Sequence, residues 1–168
     1  MSWDIFIQDL PDVATVEDIP EEFRPCTIGK REALVARLRE AVPFLEHQEH
    51  DWYVVEKAEA ALSLSVSTEP GTDDVTCISI HVHGGELAPA CVAALVKASG
   101  HRALDTGTGG FFDVHAPGHG YSAWAGYRDH VLSRSSGSWQ DPTAVGPSAV
   151  TRSSGGVVTN ASPSDAGG

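Results

Sequence analysis

The sequence has few basic residues. It contains 11 Lys and Arg against 23 Asp and Glu, which gives a formal net charge of −12 over 168 residues. Phosphate backbones and anionic lipid surfaces repel so acidic a chain. Long apolar runs are also missing, since no window approaches the roughly 18 apolar residues that a membrane-spanning helix needs. We therefore predict that the protein has no nucleic-acid partner and no membrane association.

Cysteine is scarce, and its spacing is uninformative. The three cysteines, Cys26, Cys77 and Cys91, form no C-x-x-C pair and are odd in number. This pattern favours reduced, structural thiols over a disulfide framework. The first residues carry Asp4 where a secretory signal would carry basic residues, and the apolar run that follows is short. We expect a cytoplasmic protein.

Charge and composition divide the chain near residue 133. In residues 134–168, Gly, Ser and Pro account for 17 of 35 positions, and the two acidic residues balance the two basic ones. Such a segment has too little apolar surface to offset its ordering entropy. We predict an acidic domain over residues 1–133, which bears the whole net charge, and a disordered tail over residues 134–168.

Hydrophobic periodicity within the domain alternates between the strand and helix types. We predict an α+β fold: a two-layer sandwich with a mostly antiparallel sheet of about 4–5 strands and helices on one face, in the order β-α-β-β-β-α-β-α. The predicted strands cover residues 2–8, 52–56, 61–68, 75–83 and 102–105, and the predicted helices cover residues 30–44, 87–99 and 121–132.

Two histidines on one predicted strand suggest a metal site. His81 and His83 are two residues apart, so on a strand their side chains project from the same face. Such a pair can supply two imidazole ligands to Zn²⁺ or a similar divalent ion. A third ligand would come from elsewhere, with His101, His115, His119, Asp105 and Asp113 as the available donors. The alternative is that the polar face of an amphipathic strand carries two solvated histidines.

No set of residues with catalytic spacing is evident. Asp105-Thr106-Gly107 matches the signature of aspartic proteases, but these enzymes are nearly all β, and here the triplet follows a predicted helix. Asp, Thr and Gly are also common turn residues. Neither a nucleophile–base pair nor a pair of carboxylates at a defined spacing can be named. These absences favour a non-enzymatic protein.

The acidic charge is concentrated in a proline-rich stretch. Residues 9–22 contain six carboxylates and no Lys or Arg. We predict that this stretch, the acidic segment, is irregular and solvated. Negative charge on a compact domain suits electrostatic steering towards a basic protein, the logic that immunity proteins and inhibitors use. Trp3, Asp9, Phe23 and Arg24 are the candidate contact residues, and the alternative for them is packing at the edge of the core and a local ion pair.

Several runs of the chain resemble a known family. These runs are residues 3–11, 18–25, 28–31 and 102–113, beginning with Trp3-Asp4-Ile5-Phe6-Ile7-Gln8-Asp9-Leu10-Pro11. They are similar to a family of small bacterial proteins without an established activity, and the similarity covers about residues 2–133. The resemblance implies a bacterial, cytoplasmic origin and supplies no catalytic residue. It also implies that Asp105-Thr106-Gly107 is part of a structural turn.

Overall fold

One sheet organises the part of the chain that the computed structural model describes, residues 1–135. Its strands are β1 (Trp3–Gln8), β2 (Gly29–Lys30), β3 (Glu46–Glu49), β4 (Trp52–Lys57), β5 (Ala60–Thr68), β6 (Asp74–Gly84), β7 (Arg102–Asp105) and β8 (Gly110–Phe111). Their order is β3-β4-β5-β6-β1-β7-β8, with β2 paired to β6, and every pairing is antiparallel. The predicted tail lies outside the described residues, apart from its first two.

Alternation of apolar and polar residues decides which face of the sheet is buried. In β1, Trp3, Ile5 and Ile7 are almost fully buried, while the residues between them are partly exposed. Ile5 lies opposite Ile80 of β6, which in turn lies opposite Leu64 of β5, so the three strands bury the same face. A shift of one residue in any of these pairings would turn the apolar side chains towards solvent.

Three helices supply the other side of the core. They are α1 (Arg31–Ala41), α2 (Ala88–Ser99) and α3 (Gly118–Ser135), and a short 3₁₀ turn covers Val16–Asp18. Leu34 and Leu38 of α1 are buried in one hydrophobic cluster together with the apolar strand face. Trp124 is the large buried side chain of α3, and the buried residues of α2 are Ala88, Pro89, Cys91, Val92, Ala93, Leu95, Val96 and Ser99. The face that these helices leave uncovered is called the open face below.

The predicted α+β class is confirmed, and the strand count of about 4–5 is wrong because the sheet has eight strands. The five predicted strands are all present. The three missed strands give no alternating apolar signal: β2 and β8 are two residues long, and all four residues of β3 are exposed. With these strands the observed order becomes β-β-α-β-β-β-β-α-β-β-α. Short, polar strands at or near the margin of a sheet form through pairing and not through burial.

Candidate functional site

The open face carries a polar patch on β4, β5, β6 and β1. The register places Ser63 opposite His81 and His81 opposite Asp4, so these side chains form one row across three strands. All three are partly exposed. Trp52 of β4, 40% exposed, lies with its ring centroid 6.2 Å from that of His81. The small serines of the intervening strand β5 leave room for that ring to reach across.

Asp4 and His81 form a hydrogen-bonded pair across the junction of β1 and β6. The distance from His81 Nδ1 to Asp4 Oδ1 is 2.8 Å. Partial burial raises the pKa of the Asp4 carboxyl. Hydrogen bonds from Ser2 and His81 and the charges of His81 and His83 lower this pKa, and together they outweigh the effect of burial. The net pKa of Asp4 is therefore below its ordinary value of 3.8. The carboxylate remains ionised beside the imidazole.

His83 shares the open face with His81 but has a different partner. Its Nε2 atom lies 3.1 Å from Ser63 Oγ, and its side chain is exposed. Among residues 1–135, no group of three or more His, Cys, Asp or Glu side chains is arranged to hold a metal ion. Asp105, one of the proposed further donors, is buried and hydrogen-bonded to Trp3 instead. Metal binding by the pair stays a prediction.

Asp105 joins three parts of the fold. Its Oδ1 atom accepts hydrogen bonds from Trp3 Nε1 at 2.6 Å and from the backbone N–H of Gly107 at 2.8 Å. The first turn of α3 lies against the same carboxylate, since a methyl group added at Gly120 would be 2.0 Å from Asp105 Oδ2. Only glycine fits at that approach. The Asp-Thr-Gly triplet therefore has a structural role in this fold. Asp105 is buried, with a relative exposure of 4%.

The acidic segment is irregular yet fixed to the sheet. Arg102 of β7 donates to the carbonyl oxygens of Pro11 and Val13, the second at 3.0 Å, and its guanidinium lies 3.6 Å above the centre of the Phe111 ring. Asp9 accepts the backbone N–H of Cys26 at 2.9 Å. Both contacts join parts of the chain that are distant in sequence, so the segment has a defined course across the edge of the fold.

The cations near the acidic segment do not neutralise it. Arg24 donates to the carbonyl oxygens of Glu21 and Phe23, and Arg102 is likewise bound to backbone carbonyls. The ion pairs formed within residues 1–135 involve Asp4, Asp51, Asp73, Asp74 and Asp129, all outside the segment. The six carboxylates of the segment therefore have no ion-pair partner in the described part of the chain. They generate a region of concentrated negative potential.

The four candidate contact residues occupy different environments. Trp3 is 1% exposed and packs in the core against Phe112 and Tyr121, which matches the alternative of core packing. Asp9 and Phe23 are partly exposed, and Arg24 is exposed. The last three remain predicted contact residues, whereas the Trp3 side chain is not on the surface.

Sequence reasoning missed three residues that shape these surfaces. Arg102 holds the acidic segment, Trp52 covers part of the open face, and Asp4 pairs with His81. The alternation of β1 already places Asp4 on the polar side of its strand. The sequence does not show which strand lies beside β1, because the spacing of residues within one strand carries no information about its neighbour in the sheet.

Similarity to known proteins adds no further assignment. In the described part of the chain, no helix is both long and apolar enough to cross a membrane. Neither the family models, nor the curated proteins, nor the solved structures include a match to this chain.

Proposed function

We propose that this protein is a non-enzymatic binding domain that uses the acidic segment, residues 9–22, to bind a basic surface of another protein. The observation that carries the proposal is the absence of ion-pair partners for its six carboxylates within residues 1–135, although the neighbouring Arg24 and Arg102 are close by. A basic partner would supply the missing counter-charges and would be steered towards them during encounter.

The attachment of the segment supports the same function. A loop that is disordered before binding loses conformational entropy when it docks, whereas a loop already held in place avoids much of that cost. Arg102 and Asp9 hold the segment to β7 and to the chain before β2. Phe23 and Arg24, which follow it directly, add an aromatic ring and a guanidinium of the kind that anchor interfaces.

Affinity capture from the native host, followed by binding measurements with the purified partner, tests the proposal. The variant D12N/E17Q/E21Q/E22Q removes four charges from the segment and spares Asp9 and Asp18, which accept backbone N–H groups. The control variant E40Q/E46Q/E56Q/E86Q removes the same charge from exposed positions elsewhere. We expect the segment variant to bind at least about tenfold more weakly, and the control to bind almost normally.

Two results would contradict the proposal. One is a partner whose affinity falls equally in both variants, because this would indicate a general charge effect. The other is failure to recover any partner at low ionic strength, where electrostatic attraction is strongest.

A second candidate function, binding of Zn²⁺ or a similar divalent metal, is favoured by the Asp4–His81 pair. A metal-ligating histidine commonly donates its other ring nitrogen to a carboxylate. Asp4 occupies Nδ1 of His81, so Nε2 is the atom left for a ligand, and His83 lies two residues away on the same strand. Elemental analysis of dialysed, untagged protein tests this function. Substoichiometric metal that is unchanged in the H81A/H83A variant would exclude it.

We also propose a cytoplasmic location for the protein. Cys26, Cys77 and Cys91 are free, and they range from exposed to buried. Reduced thiols are usual in a reducing compartment.

A further inference from the structure

A groove runs along one side of α1, between this helix, β4 and the turn before β6. Its volume is about 550 Å³, within the range of small-molecule sites in proteins. Arg31, Val35 and Arg39 line it at intervals of four residues, which places them on one flank of the helix. None of its lining residues belongs to the acidic segment or to the open face, so the groove is separate from the surfaces described above.

Part of the groove lining is apolar. Val35 and Ala36 of α1 and Tyr53 of β4 line it, and Tyr53 is 5% exposed with its ring against His47. The large aliphatic side chains of this helix, Leu34 and Leu38, point into the core. The small residues at positions 35 and 36 therefore leave space that a ligand with an apolar body can fill.

Two of the charged residues along the groove already have ion-pair partners. Arg31 Nη2 lies 2.5 Å from Asp51 Oδ1 and also donates to the carbonyl oxygen of His50 at 3.0 Å. Asp73 Oδ1 lies 2.8 Å from Lys30 Nζ. Arg31 and Asp73 therefore each have an ion-pair partner beside the groove.

Arg39 differs from Arg31 because it has no ion-pair partner within the described part of the chain. It is exposed, and it lies at the other end of the groove from Glu32, roughly 10 Å away along the helix axis. Glu32 repels an anion at its own end, and Arg39 attracts one. A ligand with a single negative charge would therefore be oriented along the groove.

From this arrangement we infer that the groove binds a small organic carboxylate, with its carboxylate on Arg39 and its apolar body against Val35, Ala36 and Tyr53. A guanidinium group can hold a carboxylate through two parallel hydrogen bonds, and the apolar surface adds burial energy. This site does not depend on the proposed protein partner.

Titration of the full chain with 3-phenylpropionate, followed by amide chemical shifts in NMR, tests the inference. We expect saturable shifts at the groove residues, in the millimolar range expected for so small a ligand. The neutral analogue 3-phenylpropionamide and inorganic phosphate should each bind at least about tenfold more weakly, because the first lacks the charge and the second lacks the apolar body.

Three variants separate the contributions. R39Q should weaken 3-phenylpropionate binding about tenfold, and A36F, a change at an exposed position, should abolish it by filling the groove. K97Q removes one positive charge from exposed α2 surface and should bind normally. The inference is overturned if 3-phenylpropionate causes no shifts, if R39Q binds it as well as the parent protein does, or if phosphate binds more tightly.

Discussion

The acidic segment and the turn between β5 and β6 are similar in composition but differ in whether their carboxylates form ion pairs. Both are irregular stretches that combine proline with several carboxylates. Lys30 Nζ lies 2.8 Å from Asp73, in the turn, and 2.9 Å from Asp74, the first residue of β6, so two carboxylates share one ion-pair network. In the acidic segment, the nearby guanidinium groups of Arg24 and Arg102 donate to backbone carbonyls instead.

The difference shows that the placement of cations, and not the number of acids, decides whether the carboxylates of an acidic stretch are paired within the domain. Lys30 is 43 residues from Asp73 and reaches it because β2 pairs with the start of β6. Arg102 is close to the acidic segment because β7 pairs with β1. Its donors point at carbonyl oxygens, so they fix the course of the segment and leave its charge in place.

Among the variants considered, replacing Arg102 should cause the largest loss of stability, because Arg102 holds the acidic segment to the sheet. R102A removes two charge-assisted hydrogen bonds and the contact with Phe111, and it leaves the carbonyls of Pro11 and Val13 without their donor. We expect a loss of about 2–3 kcal/mol in the free energy of unfolding, measured by urea denaturation. Amide hydrogen exchange in residues 9–22 should also become faster.

The control for R102A is R24A, which removes an exposed guanidinium bound only to local carbonyls. It should change the free energy of unfolding by less than about 0.5 kcal/mol. Equal effects of the two variants would mean that Arg102 does not hold the segment.

Breaking the Asp4–His81 pair on the open face should change the stability by less than replacing Arg102 and by more than replacing Lys30. D4N should lower the free energy of unfolding by about 0.5–1 kcal/mol near neutral pH, because the pair is partly exposed. The pKa of Asp4 is lowered in the folded protein, so its stabilisation is present above the ordinary value of 3.8 and is lost as the pH falls through the folded value.

Denaturation of the parent and D4N proteins across a pH series checks this expectation. The difference in stability between them should shrink as the pH falls below 3.8 and should disappear below the lower pKa that Asp4 has in the folded protein. A difference that persists at the acid end of the series would show that the charge of Asp4 is not its source.

Removing Lys30 should have the smallest effect on stability, because its contacts with Asp73 and Asp74 are largely exposed. The sharper measurement is a titration of the Asp73 carboxyl by NMR. The hydrogen bond from Lys30 lowers the pKa of Asp73 below 3.8, and K30Q should return it towards that value. The same contacts raise the pKa of Lys30 to about 12, so the stabilisation it provides is full below 10.5 and is lost as the pH rises through 12.

The control for this titration is K57Q, which removes an exposed lysine outside the ion pairs of the described residues. It should leave the pKa of Asp73 where it is in the parent protein. If K30Q fails to move that pKa, Lys30 does not pair with Asp73 in solution.

Strong periodicity made most of the fold predictable. The alternation in β5 and β6 correctly assigned the buried and open faces, including the common face of His81 and His83. The helices began and ended within a few residues of the expected positions, with α3 starting earlier, at Gly118. By contrast, the strand β3 could not be predicted from alternation, because its residues Glu46–Glu49 are charged or polar and exposed.

The candidate sites were less predictable, because they depend on contacts between distant residues. The sequence leaves Trp3 either as a contact residue or as packing at the edge of the core, and the structure places it in the core with its indole N–H bound to Asp105, 102 residues away. The groove along α1 follows the spacing of Arg31, Val35 and Arg39, but its open space depends on the position of Tyr53 on another element.

By itself, the sequence determined the class of fold, the buried face of each main strand and the concentration of negative charge in residues 9–22. These properties follow from local pattern and composition, which each segment carries independently of its neighbours. Among the residues that the structure describes, only the tertiary structure decided which carboxylates receive a counter-charge, because strand order and register bring cations from distant positions to some acids and to none of the six in residues 9–22. Strand order and register are collective results of packing, so no local pattern contains them.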